Sequence, residues 1–323
     1  QRMQQRLEET LNKGEQAMIL LNKRGYASFI KCESCGEPIC CPHCDVTLTY
    51  HKAENRLKCH LCEYFTSVPQ VCPECGSTHL KKIGYGTQKI EEELEKKYPN
   101  ARIIRFDFDT TRNKNTHLKL LKDFEEHKAD IMLGTQMIAK GLDFSNVTFV
   151  GVLMADLSLM VPDFRASERT FQLLCQVAGR SGRGDKQGTV MIQTFNPEHY
   201  AIKTAVKQDY EAFFKEEMLF RKKAKYPPFC HLVSVIVQSR TPKNVHLTAL
   251  DISKYLKEHL EKVRIIGPQP AFKMQDIYRE RILIKYIESK PIYEQLSIID
   301  DYYNRTRKGG VIVACDFNPY STY

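Results

Sequence analysis

Eight cysteines stand in four Cys-x-x-Cys pairs: Cys32/Cys35, Cys41/Cys44, Cys59/Cys62 and Cys72/Cys75. Two residues between thiols let both sulfurs of a tight turn face one metal, and two such turns complete a tetrahedral thiolate set. Four pairs therefore supply two zinc sites. A disulfide framework is the competing use, but such frameworks belong to small secreted domains, and this chain of 323 residues confines its pairs to one short segment. Sequential, interleaved and nested groupings are all open. Only five residues separate Cys35 from Cys41, which makes sequential pairing very tight. Nested pairing, the expected one, sets Cys41, Cys44, Cys59 and Cys62 around a hairpin and closes Cys32, Cys35, Cys72 and Cys75 at its base; interleaved pairing is second. Cys40 lies outside the pattern. His43, His60 and His79 are near enough to compete as ligands, but eight thiolates leave them unneeded.

Three further segments carry residues suited to phosphate chemistry. In Gln176–Gly184 (QVAGRSGRG), Arg180 and Arg183 stand three apart among small residues, so two guanidinium groups can converge on one anion. The competing reading is a solvated basic turn. Gly134–Phe144 (GTQMIAKGLDF) places Thr135, Gln136, Gly141 and Asp143 in a glycine-bounded stretch. Gly84–Gln88 (GYGTQ) opens a helix, a position where glycine alone says little.

The elements that must hold these residues alternate. Apolar strands are expected at Gln16–Leu21, Ala101–Phe106, Asp130–Leu133, Val147–Leu153 and Gly188–Thr194. Helices are expected between them at Gln88–Lys97, Lys114–His127 and Ser167–Val177. Buried strands separated by helices make a doubly wound parallel sheet, which binds ligands at the carboxyl ends of its strands. All three segments fall at such ends. The cysteine segment, 29–81, is then an insertion after the first strand of a lobe formed by 1–28 and 82–198. One long helical stretch, His199–Lys225, forms a bridge (199–227) that Pro227 and Pro228 end. The remainder, 228–323, reads as strand Leu232–Val237, helix Val245–Glu261, strands Val263–Pro268 and Ile282–Ile287, helix Ile292–Tyr303 and strand Gly310–Asp316. That βαββαβ order predicts a ferredoxin-like unit with four antiparallel strands and two helices on one face. On its third strand Arg279, Arg281 and Lys285 mix with Tyr278 and Tyr286, a composition that can hold single strands by charge and stacking and that solvated strand edges also use.

The chain is 42% hydrophobic and 27% charged, a globular composition, and its net charge of +9 suits a polyanionic partner. No stretch approaches the ~20 apolar residues of a membrane span. The longest apolar run, Val147–Val161, is interrupted by Asp156 and Ser158. Reduced metal-binding thiols predict a cytoplasmic protein. The first residue, Gln1, opens inside an amphipathic pattern (Met3, Leu7, Leu11), as in a piece of a longer chain.

Taken together, Gln176–Arg183 resembles motif VI and Gly134–Phe144 resembles motif V of the second RecA-like lobe of superfamily 2 helicases. The cysteine spacing, LNKRGYA before Cys32, RFDFDTT at Arg105–Thr111, DFRASERTFQLLCQVAGRSGRG at Asp163–Gly184 and GPQPA at Gly267–Ala271 narrow the resemblance to the primosomal helicases that restart stalled replication forks. It runs from about Leu11 to the C-terminus. The resemblance implies an ATP- and magnesium-dependent helicase moving 3′ to 5′ on single-stranded DNA. It also implies recognition of branched forks, contacts with single-strand-binding protein and helicase-loader proteins of the primosome, and a monomer. Carried over by position, Arg180 and Arg183 would meet the nucleotide phosphates, Arg183 foremost as an arginine finger. Gly141, Asp143 and Gln176 would lie at the nucleotide or the lobe interface. Thr135 and Gln136 would lie near the DNA backbone or couple it to ATP. Arg279 and Arg281 are DNA-contact candidates by their basic and aromatic surroundings, not by the resemblance. The family also favours the nested cysteine grouping. No G-x-x-x-x-G-K-[ST] phosphate loop and no Walker B acidic pair occur in the chain, so it is expected to hold half of an ATPase site and no turnover by itself. The alternative expectation is a non-motor, zinc-containing nucleic-acid adaptor.

Overall fold

Gln16–Leu21 is buried at all six positions. A strand reaches that state only when both faces of its sheet are covered. In the computed structural model, which describes residues 1–22, 29–44, 46–51, 55–59, 62–83, 87–107, 110, 114–139, 144–180, 187–305 and 310–321, this strand is the centre of a parallel sheet. In chain order the elements begin with α1 (Arg2–Asn12) and β1 (Gln16–Leu21). The cysteine segment holds β2 (Phe29–Cys32), β3 (Thr49–His51), β4 (Arg56–Lys58), β5 (Phe65–Ser67) and β6 (Leu80–Ile83). Then come α2 (Thr87–Lys97), β7 (Ile103–Phe106), α3 (Lys114–Glu125), β8 (Ile131–Gly134), β9 (Val147–Leu153), α4 (Ala166–Ala178), β10 (Thr189–Ile192), α5 (Tyr200–Lys207) and α6 (Tyr210–Ala224). Last are β11 (His231–Ser239), α7 (Pro242–His259), β12 (Arg264–Met274), β13 (Ile277–Tyr286), α8 (Ser289–Asp300) and β14 (Ile312–Phe317).

Contacts divide the chain into two units, one of Gln1–Ser28 with Ile83–Glu217, the other of Phe29–Lys82 with Met218–Tyr323. The first unit holds the five-stranded sheet, order β10-β9-β1-β8-β7, with every pairing parallel. Alternate residues of β1 serve opposite faces. Ala17 and Ile19 pack with Leu7 of α1 and with Ile90 and Leu94 of α2. Met18 and Leu20 join a core with Phe124 of α3, Phe171 and Leu174 of α4, Ala201 of α5 and Phe213 of α6. The doubly wound expectation holds. The single helical stretch expected over His199–Lys225 does not: Gln208 takes the left-handed conformation (φ 53°) and ends α5, and α6 begins at Tyr210.

In the second unit the four-stranded sheet has the order β12-β13-β11-β14 with antiparallel pairings, and α7 and α8 share one apolar core on one face of it. These features are compatible with the expected ferredoxin-like unit. β12 and β13 run longer than expected because β12 is an edge strand, where Pro268 and Pro270 forfeit no ladder bond needed inside the sheet. The cysteine segment adds a two-stranded sheet of β2 with β6, a three-stranded sheet of β3, β4 and β5, and a small core of Ile30, Ile39, Leu48, Tyr50 and Leu57. Among the described residues no helix is long and apolar enough to cross a membrane.

Candidate metal centres and sheet-edge site

The cysteines gather into two groups of four, Cys32, Cys35, Cys72, Cys75 and Cys41, Cys44, Cys59, Cys62, each with its sulfurs within 4.8 Å of one another. This is the nested grouping. Each outer pair sits on the same turn. Gly36 N–H donates to Cys32 O (3.0 Å) and Cys32 N–H to Glu37 O (2.9 Å); Gly76 N–H donates to Cys72 O (2.9 Å) and Cys72 N–H to Ser77 O (2.7 Å). Both glycines are left-handed, φ 82° and 71°. The inner pair at Cys59 repeats the scheme, with Glu63 N–H on Cys59 O (3.0 Å), but places a glutamate at the left-handed position (φ 62°). The Ser34 and Ser77 hydroxyls meet at 2.7 Å and tie the two outer turns together.

Cross-pair sulfur distances are 3.6 Å for Cys32–Cys75, 3.7 Å for Cys35–Cys72 and 3.6 Å for Cys41–Cys62. A tetrahedron with zinc–sulfur bonds of about 2.3 Å has edges of about 3.8 Å, so donor type, number and spacing all fit zinc. The electrostatics agree. The Cys35 backbone N–H foremost draws the Cys32 thiol down to about 6, whereas burial pushes Cys41 up to about 12. Hydrogen bonds can sustain one thiolate in such a group; four together need a cation. The three histidines separate by position. His43 Nδ1 lies 2.8 Å from Asp276 Oδ2, His79 Nδ1 lies 3.3 Å from Ser77 Oγ, and His60 is outside the described residues.

The second locus is the carboxyl edge of the parallel sheet. Gly134 ends β8 where a Cβ would stand 2.4 Å from Phe106 O of β7, so only glycine lets the strands approach there. Thr135 and Gln136 follow. Gln136 Nε2 donates to Asn22 Oδ1 (3.2 Å), and Asn22, buried just past β1, donates through Nδ2 to Ala155 O and Ser158 Oγ, both at 2.9 Å. Ser158 Oγ lies 2.6 Å from Thr170 Oγ1 on α4. At the far end of α4, Arg180 Nε donates to Ala139 O (3.2 Å), the carbonyl that closes the turn after Gln136. Arg180 thus reaches the end of the turn that Gln136 begins, and Gln176 stands exposed on the same helix end. Gly141, Asp143 and Arg183 lie outside the described residues. Thr87, opening α2, donates to Asp107 Oδ2 (2.6 Å), which also lies 2.9 Å from Arg105 Nε, so Thr87 meets Asp107 just past the end of β7.

The edge has a second anchor at Asp156. Burial would raise its carboxyl, but the Thr194 hydroxyl (2.7 Å) and the N–H groups of Phe195 and Asn196 hold it below the ordinary carboxylate range. Asn22, Ser158 and Thr170 were not among the sequence candidates. The one available signal was the change from an unbroken apolar run to asparagine at position 22.

The candidates on β13 divide. Ile282, Ile284 and Tyr286 face the helices, so by strand alternation Tyr278 shares that side while Arg279, Arg281 and Lys285 take the other. Tyrosines and basic residues do not form one interleaved surface. Arg279 Nε donates to Gln238 Oε1 (3.0 Å), and Lys285 is buried with Nζ on Ala224 O (3.0 Å) and over the Tyr226 ring. Burial holds the Arg281 guanidinium below its ordinary value.

Three family models match the chain: the PriA DNA helicase Cys-rich region domain over 41–65, the helicase conserved C-terminal domain over 79–185, and the primosomal protein N C-terminal domain over 222–320. Replication restart protein PriA of Bacillus subtilis is 48% identical over 98% of the chain, and that of Chlamydia pneumoniae 44% identical over 90%. The protein of the same name from Borreliella burgdorferi is 38% identical over 98%. The chain spans 40% of the length of the first two of these relatives and 48% of the third.

Proposed function

Because the chain belongs to the PriA family of replication restart proteins and matches the C-terminal part of its members, we propose that it is the C-terminal half of an ATP-dependent 3′–5′ DNA helicase. In this reading the whole protein recognises stalled and branched forks and starts primosome assembly. The observation that carries it is the Arg180 bond to Ala139 O, which joins the end of α4 to the turn after Thr135 and Gln136 at the ligand-binding edge of the sheet. Arg180 and Arg183, with Gln176, Gly141 and Asp143, would face the phosphates of ATP held with magnesium by a preceding lobe. When bound, that nucleotide supplies the phosphoryl group whose transfer drives movement. The residues here orient it and offset its charge. Thr135 and Gln136 would touch the DNA backbone, and the Asn22–Ser158–Thr170 chain would keep them in register with α4.

The two four-thiol groups would each hold a structural zinc, with no open position for catalysis. Branched and single-stranded DNA are the partners that the net charge of +9 suits, with Arg279 and Arg281 as further contacts. Single-strand-binding protein and the helicase-loader proteins of the primosome complete the set, around a monomer in the cytoplasm. The non-motor adaptor reading is not favoured, because it leaves the match to the helicase conserved C-terminal domain without a purpose.

The test is Arg183→Ala in a protein that includes the phosphate-loop lobe. An arginine finger is worth roughly 10³–10⁵ in turnover. The variant is expected to lose ATP hydrolysis by orders of magnitude, to keep two zincs and most fork affinity, and to be rescued poorly by lysine. ATP turnover within a few-fold of the unsubstituted protein would overturn the reading.

A further inference from the structure

The tip of the β12–β13 hairpin ends on the inner four-thiol group. Gln275 and Asp276 form its two-residue turn, both left-handed (φ 53° and 59°), so their N–H groups point outward along the hairpin. Gln275 N–H donates to Cys44 Sγ at 3.3 Å, and Asp276 N–H donates to His43 O at 3.0 Å. The Asp276 carboxylate lies 2.8 Å from His43 Nδ1, and Lys273 Nζ donates to Pro42 O at 3.0 Å. Met274 packs on the core that contains Cys41, Cys44 and Cys59. Four consecutive residues of the C-terminal sheet, 273–276, thus grip Pro42, His43 and Cys44, more than two hundred residues earlier in the chain. Cys44 is fully buried, so this N–H reaches its sulfur where water does not.

A hydrogen bond from a backbone N–H to a coordinating thiolate offsets part of its charge and fixes the direction of its lone pairs. Such outer partners hold metal affinity by factors of 10–100. The grip has a consequence in the other direction as well. Cys44 Sγ accepts from Gln275 N–H and is also one of the four inner sulfurs, so a displacement of that sulfur on losing its metal moves the acceptor that the turn sits on. We infer that the Lys273–Asp276 turn is the outer shell of the inner metal site, so that metal retention at Cys41, Cys44, Cys59 and Cys62 and seating of the C-terminal hairpin are one coupled equilibrium. By linkage, whatever lifts the hairpin loosens that metal, and loss of that metal frees the hairpin. The outer group, Cys32, Cys35, Cys72 and Cys75, is the internal control.

The inference rests on both groups holding zinc, and metal analysis of the chain as purified tests that separately: fewer than two zincs removes the premise. With two present, zinc release to a colorimetric chelator is followed for the chain and for Lys273→Ala/Met274→Ala/Asp276→Ala. One of the two zincs is expected to leave the triple variant about tenfold faster or more, the other at the original rate. The reciprocal arm needs no hairpin substitution. Amide exchange of 270–280 is compared between the loaded chain, Cys62→Ser in the inner group and Cys35→Ser in the outer. Exchange is expected to rise about tenfold in the first variant and to stay near the original in the second. Release of both zincs at unchanged rates from the triple variant would overturn the coupling. So would a hairpin whose exchange ignores the inner site or responds equally to both.

Discussion

Gly36, Gly76 and Glu63 occupy the same left-handed position in three of the Cys-x-x-Cys turns, and they separate two reasons for glycine. At Gly134 the reason is space, since a Cβ would meet Phe106 O. At Gly76 nothing lies within 4 Å of where a Cβ would stand, so the reason is conformation alone. Gly76→Ala is therefore expected to cost about 1–2 kcal/mol, the left-handed penalty of an L-residue. It should appear as a roughly tenfold weaker hold on one zinc in a competition titration. Glu63→Gly runs the other way and should tighten the inner site or leave it unchanged. Equal losses in both variants would mean that side-chain contacts, not backbone conformation, set the residue at this position. The Cys-x-x-Cys spacing marked the eight gathered cysteines from sequence because coordination geometry constrains residues that are close along the chain. Gln275 could not be found that way: what it contributes to the site is a backbone N–H, which any residue but proline carries.

At the level of elements, the cysteine segment contrasts with the sheet beside it in the chain. Its strands are three or four residues long and its core is a handful of side chains. A structural zinc contributes on the order of 10 kcal/mol of folding free energy, more than so small a core can replace. Chelation is expected to raise amide exchange throughout 29–82 while β1, β8 and β9 stay protected. Protection of 29–82 surviving complete removal of metal would show that its own packing suffices. The parallel sheet was legible because its strands are apolar at nearly every position, a signal that needs both faces covered. The break at Gln208 was not: no glycine or proline marks it, and the turn is held by bonds back to Ala205 O and Thr204 O that exist only once α5 has formed. The extra length of β12 was hidden by its prolines, which a central strand would exclude and an edge strand tolerates.

For the whole molecule, charge and missing chemistry lead to one expectation. A net charge of +9 favours phosphate contacts whose affinity falls steeply with salt, so binding of forked and single-stranded DNA should weaken by orders of magnitude between about 50 and 200 mM salt. The same chain carries no phosphate loop, so DNA-stimulated ATP hydrolysis should be absent from it at every salt concentration. Fluorescence-anisotropy titrations and a phosphate-release assay on one preparation check both. Salt-independent binding would remove the electrostatic account, and ATP turnover by the chain itself would remove the half-site account.

Sequence alone determined the four cysteine pairs, the alternation of strands and helices, and the family resemblance carried by motifs read within single segments. These depend on spacing and periodicity, which are local properties. Tertiary structure decided what lies far apart in the chain: that Asn22 links Gln136 to Ser158, that Arg180 closes on Ala139, and that the Gln275 turn seats on Cys44. It also put Tyr278 and Arg279, neighbours in sequence, on opposite sides of one strand. Within the sheets the pairing is set by the order of strands and the direction in which side chains leave them; at Gln275 it is set by where the hairpin tip packs, and none of this is written in the residues until the chain is assembled.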